Sequence, residues 1–176
     1  HLPDLIIAMP VLFEDRVVGF SVCLAHQEDF GGKVAGSMPT DATEIFQEGL
    51  IVPPLKLYDA GKPNQTLLDL IRRNVRLPSL VIGDISAQVA AVTVGRNRMR
   101  ELFESYGHEP TTRYLGHLMD YAERLTRARI AEIPDGVYRF TDYMDNDGIT
   151  LDRRIAISAT VTVSGDTVTV DFTGTS

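Results

Sequence analysis

The sequence has no tryptophan and a single cysteine, Cys23, among its 176 residues. One cysteine excludes an internal disulfide framework and fits a reducing compartment, so we expect a cytoplasmic protein. The chain also lacks basic excess, because 17 lysines and arginines stand against 24 aspartates and glutamates, a net charge of -7. Phosphates and anionic lipids are bound by clustered cations, so this balance argues against nucleic-acid binding and against a membrane-surface partner.

Two further features are missing. No uninterrupted apolar run approaches the roughly 20 residues that a transmembrane helix needs. A phosphate-binding loop is also absent, because Gly31-Gly32-Lys33 is not part of the Walker pattern of Gly, four residues and Gly-Lys-Ser/Thr. We therefore do not expect this chain to bind a nucleotide through its glycine-rich segment.

The composition that remains is that of a globular protein, with 44% apolar and 23% charged residues. The chain begins at His1 rather than Met and stops at Ser176, just after a strand-like run. We interpret residues 1–176 as an internal fragment of a longer polypeptide, with no linker long enough to divide it into domains.

Hydrophobic patterning predicts an α+β fold with N-terminal strands and a Gly-rich loop, central long helices and C-terminal antiparallel strands. The run Leu5-Ile6-Ile7 predicts a first strand that is buried on both faces. A short helix is predicted over residues 42–47. Longer helices are predicted over residues 66–75, from Gly83-Asp84 onward, and from a cap at Thr111 or Thr112. Strands are predicted over residues 137–143, 155–163 and 168–172.

Two His-x-x-Asp pairs are the most suggestive feature for chemistry. They are His1-x-x-Asp4 and His26-x-x-Asp29. Imidazole nitrogens and carboxylate oxygens together suit a borderline divalent ion such as Mn²⁺, Fe²⁺ or Zn²⁺. Spacing alone is weak evidence for a metal site, and the alternative is that the histidines are hydrogen-bonded residues at strand ends.

Three charged side chains are candidate catalytic residues: Asp29 of the second pair, Glu48 and Lys56. Glu48 and Lys56, like Glu44, could act as a general acid, a general base or an electrostatic clamp. The alternative for Glu48 and Lys56 is that they are solvated surface charges.

The motifs along the chain resemble those of the hydantoinase B/oxoprolinase family. The N-terminal motifs are His1-Leu2-Pro3-Asp4, Ala25-His26-Gln27-Glu28-Asp29-Phe30-Gly31-Gly32, Gly36-Ser37-Met38-Pro39, Glu44-Ile45-Phe46-Gln47-Glu48-Gly49 and Pro53-Pro54-Leu55-Lys56-Leu57. The later ones are Asn74-Val75-Arg76, Gly83-Asp84-Ile85-Ser86-Ala87-Gln88, Asn146-Asp147-Gly148 and Asp171-Phe172-Thr173-Gly174-Thr175. Together they cover nearly the whole chain in the order of the family.

The resemblance implies a subunit or domain of an ATP-dependent enzyme that opens cyclic amides such as hydantoins, 5-oxoproline or lactams. ATP with Mg²⁺ would be bound by a separate hydantoinase A-type subunit in a hetero-oligomer. The resemblance further implies that His1, Asp4 and His26 hold a divalent Mn, Zn or Fe ion. Asp29 would then be a partner that orients a ligand histidine.

The glycine-rich loop has an expected role in the same hypothesis. Gly31, Gly32 and Ser37 would bring backbone N–H groups toward a developing oxyanion. Three alternatives stay open: a subunit of an ATP-dependent acetone or acetophenone carboxylase, a non-catalytic assembly subunit, and a metal hydrolase that needs no ATP.

Overall fold

The structure is a computed structural model that describes residues 2–176, so His1 lies outside the described residues. The described chain forms two compact units, one extending through Gly107 and the other spanning His108–Ser176. Helices and antiparallel strands are mixed along the chain, which confirms the predicted α+β class.

The first unit opens with a long antiparallel hairpin. Strand β1 spans Asp4–Phe13 and strand β2 spans Arg16–His26. Glu14 and Asp15 between them both have positive φ angles, of 50° and 58°. A two-residue turn with both residues in this region matches the right-handed twist of the strands it joins. The register places Asp4 opposite His26 at the open end of the hairpin.

The hairpin is covered on one face only. Leu5 and Ile7 pack against the core of the first unit, whereas the side chain between them, Ile6, is 60% exposed. The prediction of a strand buried on both faces is therefore wrong. Side chains alternate between the two faces of a strand, and the described residues cover only one of these faces.

A loop region follows the hairpin. It contains two 3₁₀ turns, Ala35–Ser37 and Ile45–Gln47, and a small hairpin of β3 (Tyr58–Asp59) and β4 (Lys62–Pro63). The helix predicted over residues 42–47 is thus only a single 3₁₀ turn. The turn has no side-chain cap, and the backbone of Glu44 before it is extended. The helical turn therefore does not include residues 42–44.

Two helices complete the first unit. Helix α1 spans Gln65–Asn74, and the side chain of Asn64 accepts a hydrogen bond from the backbone N–H of Leu67. Helix α2 spans Pro78–Tyr106 and begins five residues before the predicted Gly83, because proline is well suited to the first turn of a helix. The core of this unit combines residues from the loop and both helices: Phe30, Leu67, Ile71, Val75, Val81 and Ile85.

Helix α2 has a membrane-like composition. Among residues 2–176 it is the one helix long and apolar enough to cross a membrane, with a mean hydropathy of 1.3 over 18 residues, of which 22% is buried. Core helices of soluble proteins meet the same criterion, and Val81, Ile85 and Val92 of this helix are buried. The composition of α2 is therefore weak evidence for a membrane span.

The second unit contains one helix and one sheet. Helix α3 spans His108–Ile130, beginning before the predicted cap at Thr111 or Thr112. Strands β5 (Gly136–Met144), β6 (Ile155–Ser164) and β7 (Thr167–Asp171) form an antiparallel sheet in the order β5-β6-β7. The predicted C-terminal antiparallel strands are confirmed.

Candidate functional site

Two of the predicted metal ligands meet at the open end of the first hairpin. The Nδ1 atom of His26 lies 3.0 Å from Oδ1 of Asp4, and their side chains are 47% and 38% exposed. The adjacent backbone is fixed, because Pro3 O accepts hydrogen bonds from the N–H groups of Leu5 (3.0 Å) and Gln27 (2.9 Å). The antiparallel register therefore presents an imidazole and a carboxylate side by side at the surface.

The chemistry of this pair fits a borderline divalent ion. Nitrogen and carboxylate oxygen are its usual ligands, and two adjacent ligands at about 2.1 Å from an ion lie about 3 Å apart. The observed separation of 3.0 Å suits a hydrogen bond equally well. The third predicted ligand, His1, lies outside the described residues. Within residues 2–176 no group of three or more His, Cys, Asp or Glu side chains could hold a metal, so the ion stays a prediction.

Two buried glutamines lie behind the pair. Gln27 and Gln88 are 0% and 3% exposed, and Gln27 Nε2 donates to Gln88 Oε1 at 3.0 Å. Gln88 Nε2 in turn donates to the main-chain oxygens of Leu5 (2.9 Å) and Cys23 (3.4 Å). Gln27 Oε1 has no hydrogen-bond partner among the residues the structure describes. Helix α2 is thereby tied to both strands of the hairpin next to Asp4 and His26.

A cleft of about 770 Å³ is lined by β1, by the loop residues 50–58 and by side chains of α1 and α2. Asp4 and Lys56 are the charged side chains that line it. The other lining residues are almost all apolar: Leu2, Leu5, Ile6, Ile7, Ala8, Met9, Pro10, Phe30, Leu50, Ile51, Val52, Pro53, Pro54, Leu55, Leu57, Tyr58, Leu67, Ile71, Ile85 and Val89. A largely apolar cleft with a few polar groups is typical of small-molecule sites.

The two other candidate catalytic residues, Lys56 and Glu48, lie in different places. Lys56 lines the cleft, but its Nζ atom lies 2.9 Å from Oδ1 of Asp59 and both side chains are about three-quarters exposed. Glu48 lies at the end of the second 3₁₀ turn and is not among the residues lining the cleft. A role for Lys56 at this cleft is compatible with its position, and a role for Glu48 would have to lie elsewhere.

Asp29 lies at the centre of a buried cluster of hydrogen bonds. Its Oδ1 accepts from the backbone N–H groups of Gly31 (3.0 Å) and Arg76 (3.1 Å). Its Oδ2 accepts from the N–H of Gly36 (3.1 Å) and from the Arg76 guanidinium (3.0 Å). Burial alone would raise the pKa of this carboxyl group, but together these donors hold the pKa below its ordinary value. Asp29 is therefore an anion at neutral pH.

The predicted oxyanion loop is bonded largely to itself. The N–H of Gly31 is directed at Asp29, and the hydroxyl of Ser37 donates to Gly31 O at 2.6 Å and accepts from Phe30 N–H at 2.7 Å. Ser37 is 1% exposed, so its hydroxyl is not presented to solvent. Gly32 has a φ of +79°, and a Cβ there would lie 2.6 Å from a carbonyl oxygen of the second 3₁₀ turn. This geometry gives the loop a structural use, and its catalytic role stays a prediction.

Sequence reasoning assigned no role to Arg76. Its guanidinium binds Asp29 and also donates to the carbonyl oxygens of Gly31 (3.2 Å) and Gly32 (2.7 Å). A signal was present, because Asn74-Val75-Arg76 is one of the motifs that carry the family resemblance. Its partner lies 47 residues away in the chain, so only folding identifies what the arginine holds.

Comparisons with known proteins agree with the motifs. Residues 1–176 match the hydantoinase B/oxoprolinase family. The chain is 39% identical to the candidate B-type component of a D-/L-hydantoinase from Pseudomonas sp. (strain NS671), covering 100% of this chain and 30% of that protein. It is 34% identical to the beta component of caprolactamase from Pseudomonas jessenii, covering 94% and 28%.

Solved structures share the fold. The ATP-dependent caprolactamase from Pseudomonas jessenii matches with a TM-score of 0.86 at 32% identity, covering 97% of this chain and 29% of that chain. A nucleotide-free acetone carboxylase matches with a TM-score of 0.91 at 22% identity, covering 100% and 25%, which shows likeness of fold alone. The chain thus spans about 30% of the first relative's length. By its family match over all its residues, the chain belongs to the hydantoinase B/oxoprolinase family.

Proposed function

We propose that this chain is the metal-holding part of a B-type subunit in an ATP-dependent cyclic-amide hydrolase, acting with an ATP-binding A-type subunit. The observation that carries the proposal is the Asp4–His26 pair beside an apolar cleft, since Asp4 both contacts His26 and lines the cleft. The names of two relatives, a hydantoinase and a caprolactamase, support cyclic amides as the substrate class.

The cleft suits a small ring. Its volume of about 770 Å³ lies within the range of about 300–1,000 Å³ that small-molecule sites occupy. Apolar walls would bury the methylene groups of a lactam or the substituent of a hydantoin and would exclude water from them. Asp4 at the edge of the cleft would place the polar amide of the ring next to His26.

The side chains of Asp4 and His26, with His1 as the predicted third ligand, would hold the Mn, Zn or Fe ion. When bound, such an ion polarises a substrate oxygen and lowers the pKa of a bound water. ATP and Mg²⁺ are assigned to the A-type partner, because Gly31-Gly32-Lys33 lacks the residues of a phosphate-binding loop. Glu48 and Asp29 do not line the cleft, so the proposal assigns neither of them contact with the substrate.

The test uses the full-length subunit purified with its A-type partner. Elemental analysis is made of the wild type, of His26→Ala and of the matched control His117→Ala, an exposed histidine of α3. We expect a near-stoichiometric transition metal in the wild type and control and its loss in His26→Ala. Retention of metal and full turnover in His26→Ala would overturn the proposal.

Substrate assays separate the alternatives. ATP-dependent opening of hydantoin, 5-oxoproline or caprolactam supports the hydrolase. Carboxylation of acetone or acetophenone with bicarbonate and ATP, without ring opening, would assign the carboxylase reaction instead. Ring opening without ATP would identify a stand-alone hydrolase.

A further inference from the structure

We propose that Gln88 is a positioning residue for the Asp4–His26 pair and that it acts through the main chain of the two strands. Gln88 is 3% exposed and lies on α2, far in sequence from both members of the pair. The part of this inference that concerns metal binding rests on the proposed function. Whether Gln88 holds the two strand ends together can be tested without a metal.

The hydrogen bonds of Gln88 reach the backbone of both hairpin strands and the side chain of Gln27. Its two amide hydrogens are directed at Leu5 O in β1 and Cys23 O in β2, at 2.9 Å and 3.4 Å. Its carbonyl oxygen accepts from the side chain of Gln27, the residue after His26. Leu5 directly follows Asp4 and Gln27 directly follows His26, so one buried amide contacts a neighbour of each member of the pair. Because both donors and the acceptor of this amide are used, its position and orientation are fixed more closely than those of an apolar side chain would be.

The separation of the pair depends on the backbone that carries it. Both side chains are more than a third exposed, so the positions of the two strand ends decide where the imidazole and the carboxylate lie. On one side, the Gln27 N–H donates to Pro3 O across the open end of the hairpin. On the other side of the pair, Gln88 bonds to Leu5 O in β1 and to Cys23 O in β2. Hydrogen bonds therefore connect the two strands on both sides of Asp4 and His26.

The experiment compares two substitutions on one face of α2 in the full-length protein. Gln88→Met keeps the length of the side chain but removes both donors and the acceptor. Val92→Ala, one turn further along at 1% exposure, removes buried apolar volume without touching the hairpin amides. The affinity for Mn²⁺ alone is measured by calorimetry, and amide hydrogen exchange is followed over residues 2–8 and 22–28.

Supporting outcomes are specific to Gln88. We expect Mn²⁺ affinity to fall about 10–100-fold in Gln88→Met, the usual effect of losing a group that orients metal ligands. Exchange at the two strand ends should accelerate in the same variant. Val92→Ala should leave the affinity and the exchange at these ends near wild-type values even where it lowers the melting temperature more.

Each failure has its own signature. If the wild type binds no Mn²⁺, the proposed function fails, and hydrogen exchange alone decides whether Gln88 positions the pair. If Gln88→Met binds Mn²⁺ like the wild type, or if exchange at the strand ends is unchanged, the positioning role is overturned. Equal effects of Gln88→Met and Val92→Ala would also overturn it, because they would indicate general destabilisation.

Discussion

Replacing Asp29 by asparagine tests what the buried carboxylate does. Asparagine has the same shape but presents one oxygen and one NH₂ group. With its oxygen at the Oδ1 position it keeps the hydrogen bonds from the N–H groups of Gly31 and Arg76. Its NH₂ group then faces the N–H of Gly36 and the Arg76 guanidinium, which are both donors. Two hydrogen bonds to a charged acceptor are lost.

The expected loss of stability follows from those two contacts. A hydrogen bond to a charged group contributes about 1.5–3 kcal/mol. The Arg76 side chain is 41% exposed and can be partly solvated, so we take the lower value for each contact. The loop 27–37 should therefore be less stable by about 3 kcal/mol in Asp29→Asn, which corresponds to about a 100-fold change in an equilibrium constant.

Amide hydrogen exchange in the full-length protein measures this effect locally. Protection of residues 27–37 should fall about 100-fold at pH 7 in Asp29→Asn. The control is Asp69→Asn, a surface carboxyl group whose pKa is also lowered, by hydrogen bonds from Gln65 and Arg72. It should leave protection of the loop unchanged.

The direction of the pKa shift predicts how the stability difference between wild type and Asp29→Asn changes with pH. The pKa of Asp29 is lowered in the folded protein, so its contribution is fully present above its ordinary value of 3.8 and is lost as pH falls through the folded pKa. The difference between wild type and Asp29→Asn should therefore shrink below about pH 3.8. A change in protection of less than threefold at pH 7, or a difference that persists in acid, would refute the reasoning.

The glycines provide two further predictions, each with a matched control. Gly32→Ala should destabilise by about 2–4 kcal/mol, because a positive φ and a nearby carbonyl oxygen both oppose a Cβ, whereas Gly61→Ala, with a similar φ of +80° and open space, should cost about 1–2 kcal/mol. Equal melting temperatures for the two variants would contradict this. Gly95→Ala should destabilise because its Cβ would collide with Ser21, while Gly83→Ala in the same helix has open space and should stabilise by about 0.5–1 kcal/mol. If both variants were stabilised, this prediction would be wrong, because Ser21 would then have moved aside to accommodate the new Cβ.

The tertiary structure decided where the site residues lie. Asp29 is close in sequence to the metal candidates, yet folding directs its carboxylate to Arg76, 47 residues away. Ser37 and Gly31 bond to each other instead of presenting their groups outward. Lys56 reaches the cleft and Glu48 does not. The Asp29–Arg76 contact and the place of Lys56 at the cleft could not be read from local pattern, because each depends on segments that are distant in the sequence.

The sequence by itself determined the class of fold, the order of the long helices and main strands, and the family. Alternating apolar residues and turn residues act locally, so the C-terminal strands and the central helices were predictable. The motifs also indicated Asp4 and His26, and the pairing of β1 with β2 then brings these two residues together at one end of the hairpin. Burial of only one hairpin face, and the role of Gln88 behind the pair, depended on where α2 packs. Hydrophobic burial is decided by which surfaces meet, and that is a property of the folded chain.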